Sequence, residues 1–181
     1  MGLLSKDIRS LDDLLIQGLG ELLYTERRIA KTLSLMSGKA SDAALRREIE
    51  QCRAAAVGNI AKIEEVCRRR DCSPRVLESP AIDGIFISEE ELAGEIEDCH
   101  VLDIAIAGAV QAAAAYTAAR YATLMGRLSG LGRPDCGRLL QAGLLHHQRA
   151  ADTMRLLADQ RLNERALRRG GRGSVPVAIA S

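Results

Sequence analysis

The sequence predicts an all-α protein with four long helices in two antiparallel hairpins, joined by a long crossover that contains a short helix. Three observations support this fold class. Apolar residues recur at steps of three and four through four long segments. No segment gives a good candidate for a strand, and clusters of Pro, Gly and Ser separate the helical segments. The 181 residues are enough for one domain with a sizeable core.

The first predicted helix, about residues 11–36, contains the most informative residue of the chain. Ser10, followed by Asp12 and Asp13, is typical of an N-cap with acidic first-turn residues. One face carries a stripe in which Glu26 is the single polar member: Leu15, Leu19, Leu22, Glu26, Ile29 and Leu33. A buried carboxylate is costly unless it is paired, hydrogen-bonded or bound to a metal. The fold must therefore place a partner opposite Glu26.

The second predicted helix follows Ser41 and Asp42 and ends near Arg70. Its predicted stripe is Leu45, Ile49, Cys52, Ala56, Ile60, Ile63 and Cys67. Residues 71–81 contain two prolines and form a connection. The apolar stretch Ile82–Ile87 is interpreted as crossover chain, and Ser88 with the acidic residues after it indicates the start of the short helix. A connection of this length allows the third long helix to run parallel to the second, as in ferritin-like bundles.

The third and fourth long helices are predicted over about residues 98–128 and 134–162. Pro134 suits the first turn of the fourth helix. Its stripe again has one polar member, His147: Leu140, Leu144, His147, Ala151, Met154 and Ala158. The sequence thus predicts a helical domain over residues 1–162 and a disordered basic tail over residues 163–181.

Composition excludes several broad classes of function. The formal net charge is +1, so no bulk field attracts nucleic acid or a membrane surface. No uninterrupted apolar run reaches about 20 residues, and the N-terminus resembles no secretory leader. We therefore expect a cytoplasmic protein with no nucleic-acid or membrane partner. The five cysteines are predicted to be free thiols, although Cys67 and Cys72 could approach each other near a helix end.

The chain resembles the YciE/YciF family of bacterial stress-associated, ferritin-like proteins over about residues 5–162. The family segments written DLYxAEKQL, AMEGLI, DAALIAAAQxVEHYEIAxYGTL and LLxETLEEEKxTD occur in order and at matching spacing. Their counterparts here are Gly20–Ile29, Pro80–Ile85, Asp103–Gln111 with Tyr116 and Tyr121–Leu124, and Leu139–Gln141 with Ala151–Asp152. The resemblance implies a four-helix bundle, a homodimer and a two-metal carboxylate centre that would hold Fe or Mn.

Most residues that the resemblance assigns to that centre are replaced. Glu26 matches the carboxylate of the first helix, but Cys52–Asn59 contains no carboxylate and no His. The EHYE segment becomes Ala114–Thr117, and the EEEK segment becomes His146–Arg149, while Asp152 remains. One inward carboxylate cannot hold two divalent ions, so the sequence predicts a degenerate member without the centre.

The polar residues on the stripes leave two interpretations open. Glu26, Cys52 and His147 lie on three different helices and could bind one zinc or another divalent ion. Alternatively, Glu26 pairs with His147 or accepts a hydrogen bond from Tyr116 or Tyr121 across the core.

Three classes of function remain compatible with the sequence. The favoured class is a non-catalytic, stress-associated bundle that acts as a scaffold or dimerisation module, without a cofactor and without a catalytic residue. The others are a metal-binding or ferroxidase-type protein with an altered site, and a small-ligand binding module. In the third class, the alanines at positions 112–115 would leave a cavity in the vacated core.

Overall fold

A computed structural model describes residues 8–72 and 77–170. Over these residues the protein is all-helical and contains no strand. A π-helical turn, Ala158–Leu162, continues α5 into α6. The helices are α1 (Leu11–Lys39), α2 (Ala43–Arg69), α3 (Pro80–Gly94), α4 (Cys99–Gly130), α5 (Pro134–Leu157) and α6 (Asn163–Gly170).

The predicted starts of the long helices agree with the structure. Ser10 forms a full capping box with Asp13: each side chain accepts a hydrogen bond from the other residue's backbone N–H. Asp42 caps α2 and Asp98 caps α4 in the usual way, because each carboxylate accepts from two N–H groups of the first turn. Pro134 begins α5.

The short helix of the crossover begins earlier than predicted. The interpretation of Ile82–Ile87 as crossover chain was wrong, because α3 begins at Pro80 and Ser88 lies in its interior. A proline in the first turn suits a helix start, and Ile82 and Phe86, four residues apart, are both buried. Residues 73–76 of the predicted connection lie outside the described residues.

The predicted boundary of the disordered tail was also wrong. Residues 163–170 form α6 rather than disordered chain, and Leu162 before them is buried. Long-range ion pairs explain the difference, because Arg161 and Arg165 both contact the buried carboxylate of Asp42. The remainder of the predicted tail, residues 171–181, lies outside the described residues.

Helix packing divides the core into two apolar clusters, and Glu26 of α1 lies between them. The largest interfaces join α1 with α2 and α4 with α5, and smaller ones join α2 with α5 and α1 with α4. All six residues of the predicted α1 stripe are buried. Leu15, Leu19 and Leu22 belong to one apolar cluster, whereas Ile29 and Leu33 belong to another. Glu26 lies between the two clusters.

One described helix, α4, is long and apolar enough to cross a membrane by length and composition. Half of its most apolar window is buried inside the fold. The core helix of a soluble protein passes the same test, so this property of α4 is weak evidence for a membrane span.

Candidate functional site

A buried polar cluster surrounds Glu26 at the centre of the fold. The Glu26 side chain is fully buried, and its Oε1 accepts three hydrogen bonds. The donors are Tyr121 Oη at 2.6 Å, His147 Nε2 at 2.8 Å and Asn59 Nδ2 at 3.0 Å. They come from α4, α5 and α2 respectively. One carboxylate oxygen of α1 is thus connected to each of the other three long helices.

Charge and burial determine the protonation of the tyrosine in this cluster. Burial, followed by the charge of Glu26, raises the pKa of Tyr121 far above its ordinary value. Tyr121 therefore keeps its proton and donates a hydrogen bond to the carboxylate. Its ring also stacks on the imidazole of His147, with centroids 5.7 Å apart and planes inclined by 30°.

The other oxygen of Glu26 differs sharply from Oε1. Over residues 8–72 and 77–170, no group hydrogen-bonds to the buried Oε2 of Glu26 or to the buried Nε2 of the adjacent His146. Burial, followed by the charge of His147, lowers the pKa of His146, so this imidazole is neutral at physiological pH. On the Glu26 carboxylate, Oε1 therefore accepts three hydrogen bonds, whereas Oε2 accepts none from the described residues.

A small cavity of about 10 Å³ adjoins the cluster on its apolar side. Cys52 and His147 line it together with Ala113, Ala114 and other apolar side chains. A volume of this size holds about one water molecule. Burial raises the pKa of the Cys52 thiol to about 11, so this thiol stays protonated at neutral pH.

Sequence reasoning identified part of this cluster and missed the rest. Of the open interpretations, the pairing of Glu26 with His147 and Tyr121 matches the geometry, whereas Tyr116 instead contacts Ser79. Asn59 was missed, because the predicted stripe of α2 passed through its neighbour, Ile60. The steps from Ala56 to Asn59 and on to Ile63 keep the alternation of three and four, which is the signal that could have found it.

Comparisons with known proteins give the family of the chain. A family model described as "Domain of unknown function (DUF892)" matches residues 10–167. The chain belongs to the DUF892 family. No curated protein matches the chain.

Two solved structures are similar to this DUF892 chain. YcfI of Rhodopseudomonas palustris, whose description proposes a structural role, is 33% identical with a TM-score of 0.81. The match covers 84% of this chain and 98% of that chain. The Escherichia coli stress protein YciF is 21% identical with a TM-score of 0.81, and the match covers 86% of this chain and 99% of that chain. These matches and the family model confirm the resemblance to the YciE/YciF family.

The residues of this DUF892 chain do not fit the two-metal centre that the resemblance implies. Such a centre takes carboxylates from all four helices. Around Glu26 the other helices instead supply an amide, a phenol and an imidazole. All three direct hydrogen atoms at Oε1, so they act as donors to the carboxylate rather than as ligands to an ion. One carboxylate leaves most of the charge of two divalent ions unbalanced.

The single-ion site predicted from Glu26, Cys52 and His147 is only partly assembled. Glu26 and His147 are in direct contact, and Cys52 lines the same small cavity as the imidazole of His147. Among the described residues, no group of three His, Cys, Asp or Glu side chains is arranged to hold a metal ion. The three-residue site stays a prediction.

Proposed function

We propose that this protein is a non-catalytic, ferritin-like four-helix bundle that has exchanged a two-metal carboxylate centre for a hydrogen-bonded core and acts as a structural scaffold. The observation that carries the proposal is the environment of Glu26. Its Oε1 accepts from three side chains on three helices. A residue that would bind a metal in a two-metal protein here joins the helices to each other.

Replacement of the other ligands explains why the core tolerates this exchange. Removing all members of a buried ionic cluster together can be neutral or stabilising, whereas removing one partner leaves an uncompensated charge. Here Ala113 and Ala114 are small buried residues beside the cluster. The remaining carboxylate is compensated by polar hydrogens, and hydrogen bonds to a charged group are each worth about 1.5–3 kcal/mol.

The relatives support a structural role of this kind. One similar structure carries a description that proposes a structural role, and another is a stress protein. By analogy we propose a stress-associated scaffold that acts in the cytoplasm as a homodimer through α1 and α2, without a nucleic-acid or membrane partner. Light scattering on the purified chain tests the dimer: a mass of two chains supports it, and a mass of one chain contradicts it.

Metal analysis tests the central proposal. The protein is expressed with added iron, manganese and zinc, beside the variant Glu26→Gln, which keeps the shape of the side chain but removes its charge. Glu91→Gln is the matched control, because Glu91 is exposed on α3. We expect far less than one metal ion per chain in all three proteins. Two iron or manganese ions per wild-type chain, lost in Glu26→Gln and kept in Glu91→Gln, would overturn the proposal.

A second candidate function, binding of one divalent ion, is favoured by the buried and open Oε2 of Glu26. A carboxylate oxygen, a neighbouring imidazole and the Cys52 thiol offer the ligand types that zinc accepts. One zinc per chain, lost in both Glu26→Gln and Cys52→Ser, would support this candidate. The small-ligand alternative is less favoured, because a core cavity of about 10 Å³ is too small for an organic molecule.

A further inference from the structure

The C-terminal end of α2 places two cysteine side chains together. Cys72 donates its backbone N–H to the carbonyl of Cys67 at 3.0 Å, and Asp71 donates to the carbonyl of Arg68 at 3.1 Å. Asp71 has a φ of 50°, the left-handed conformation that reverses the chain after a helix. These features define a Schellman motif, which commonly brings the side chains at the positions of Cys67 and Cys72 together, and Cys72 packs against the apolar cluster that contains Cys67.

The two thiols are close, and they differ in exposure. The Cys67 side chain is buried, whereas Cys72 is half-buried at the edge of the same apolar cluster. Burial raises the pKa of the Cys67 thiol to about 12, and a hydrogen bond with the Cys72 thiol contributes to this rise. A reagent from solvent can therefore reach Cys72, while Cys67 lies directly behind it.

The other cysteines of the chain do not share this arrangement. All five lie within the described residues and are free thiols. Cys52 and Cys136 are buried, and Cys99 is exposed near the start of α4. The Cys136 thiol contacts Asp135 and Arg133 rather than another thiol. The pair at the end of α2 thus combines an accessible sulfur with a neighbouring one.

We propose that Cys67 and Cys72 are a thiol-oxidation site, at which a low-molecular-weight disulfide converts the two free thiols into a reversible intramolecular disulfide. The Cys72 thiolate attacks one sulfur of the small disulfide and releases one small thiolate. The Cys67 thiolate then attacks the Cys72 sulfur of this mixed disulfide and releases the second small thiolate. The two protons from the cysteines pass to the released thiolates, so two thiols are oxidised and one disulfide is reduced.

The surrounding contacts hold the end of α2 in position for this reaction. The Arg70 guanidinium pairs with Asp12 at the start of α1, and Arg133 donates to the Arg69 carbonyl at 3.3 Å. Both contacts, like the two hydrogen bonds of the Schellman motif, involve groups other than the thiols. Disulfide formation therefore leaves the groups that make these contacts free to keep them.

Oxidised glutathione is a suitable probe, and trypsin makes the product easy to identify. Arg68, Arg69 and Arg70 lie between the two cysteines, so trypsin separates Cys67 and Cys72 into different peptides unless a disulfide joins them. After incubation of the full chain with oxidised glutathione, free thiols are alkylated under denaturing conditions. We expect a Cys67–Cys72 linked peptide, removed by dithiothreitol, and alkylation of three of the five cysteines.

Single variants make this test decisive. Cys72→Ser removes the half-buried thiol with little effect on packing and should give no linked peptide, whereas the control Cys99→Ser should give the same linked peptide as the wild type. In Cys67→Ser, glutathione should remain on Cys72. Glutathione that accumulates on Cys72 equally in the wild type and in Cys67→Ser would overturn the proposal, as would a wild-type chain in which Cys72 stays unmodified or links to Cys99.

Discussion

Gly143 of α5 lies directly against the ring of Tyr121. A Cβ atom at position 143 would come within 2.6 Å of Cε1 and Cζ of that ring, and within 2.9 Å of its hydroxyl oxygen. The absence of a side chain at Gly143 thus allows the tyrosine hydroxyl to reach Glu26, 2.6 Å away. The hydrogen-bonded core depends on this close approach as much as on its polar residues.

Gly143→Ala is expected to destabilise the fold by about 1–3 kcal/mol, because overpacking forces side chains or backbone to move. The Tyr121 ring is held by its hydrogen bond to Glu26 and by stacking on His147, so it cannot turn aside without loss. Urea unfolding measures the change. The control is Gly126→Ala in α4, where an added Cβ meets no atom within 4 Å. This control should be more stable than wild type by about 0.5–1 kcal/mol. Equal effects of the two substitutions on the free energy of unfolding would contradict the close packing of Gly143 against the Tyr121 ring.

Tyr121→Phe is expected to reduce the free energy of unfolding by about 1.5–3 kcal/mol, the range for a hydrogen bond to a charged group. Tyr116→Phe is the matched variant, since Tyr116 lies on the same helix and its hydroxyl contacts the neutral Ser79 at 3.0 Å. This second loss should be about 0.5–1.5 kcal/mol. Thermal or urea unfolding measures the loss of stability in both variants. A larger loss for Tyr116→Phe than for Tyr121→Phe would contradict a strong hydrogen bond from Tyr121 to Glu26.

Asp103→Ala is expected to cost about 1–3 kcal/mol, because the buried Asp103 holds the turn between α1 and α2. Its carboxylate accepts from the Ser41 backbone at 2.7 Å, the Ser41 hydroxyl at 2.6 Å and the Asp42 backbone at 3.0 Å. Asp152→Ala removes an exposed carboxylate on α5 and should change stability by less than about 0.5 kcal/mol. Similar losses from the two variants in urea unfolding would contradict the role of Asp103.

Sequence periodicity predicted the inward face of α1 correctly, since its stripe contained leucines at most positions and a single carboxylate. On α2 and α5 the predicted stripe ran beside some of the most buried positions. On α5, Gly143 and Ala150 are buried, whereas Leu144 and Ala151 of the predicted stripe are only partly buried against the core. At a step of three or four, adjacent apolar residues fit a helical stripe almost equally well. The packing partner decides between them, and here the Tyr121 ring requires a glycine.

Long-range contacts explain the errors at the ends of helices. Local signals favoured a helix start at Ser88 and a disordered chain after residue 162. The burial of Ile82 and Phe86 extends α3 toward Pro80, and the pairing of Arg161 and Arg165 with Asp42 supports helical structure beyond residue 162. Asp42 and these arginines are more than 100 residues apart in the sequence, so no local pattern indicates their contact.

Asp42→Asn is expected to weaken the fold near neutral pH and to lose that effect in acid. Burial alone would raise the pKa of Asp42, but hydrogen bonds from the Leu45 and Ala44 backbones, together with Arg161, outweigh it and hold the pKa below its usual 3.8. The unfolded chain therefore binds a proton at Asp42 before the folded chain does, and this contribution to stability is present above about pH 4 and is lost as the pH falls.

In Asp42→Asn, the new side chain keeps an oxygen that can accept hydrogen bonds from the backbone N–H groups of Ala44 and Leu45. It loses the negative charge that Arg161 and Arg165 contact. Unfolding free energies of wild type and variant are compared at about pH 7 and about pH 3, with the exposed Asp152→Asn as the control. The difference between wild type and Asp42→Asn should shrink in acid, while the control follows the wild type at both values. A difference that stays constant with pH would show that the charge of Asp42 does not stabilise the junction between α2 and α6.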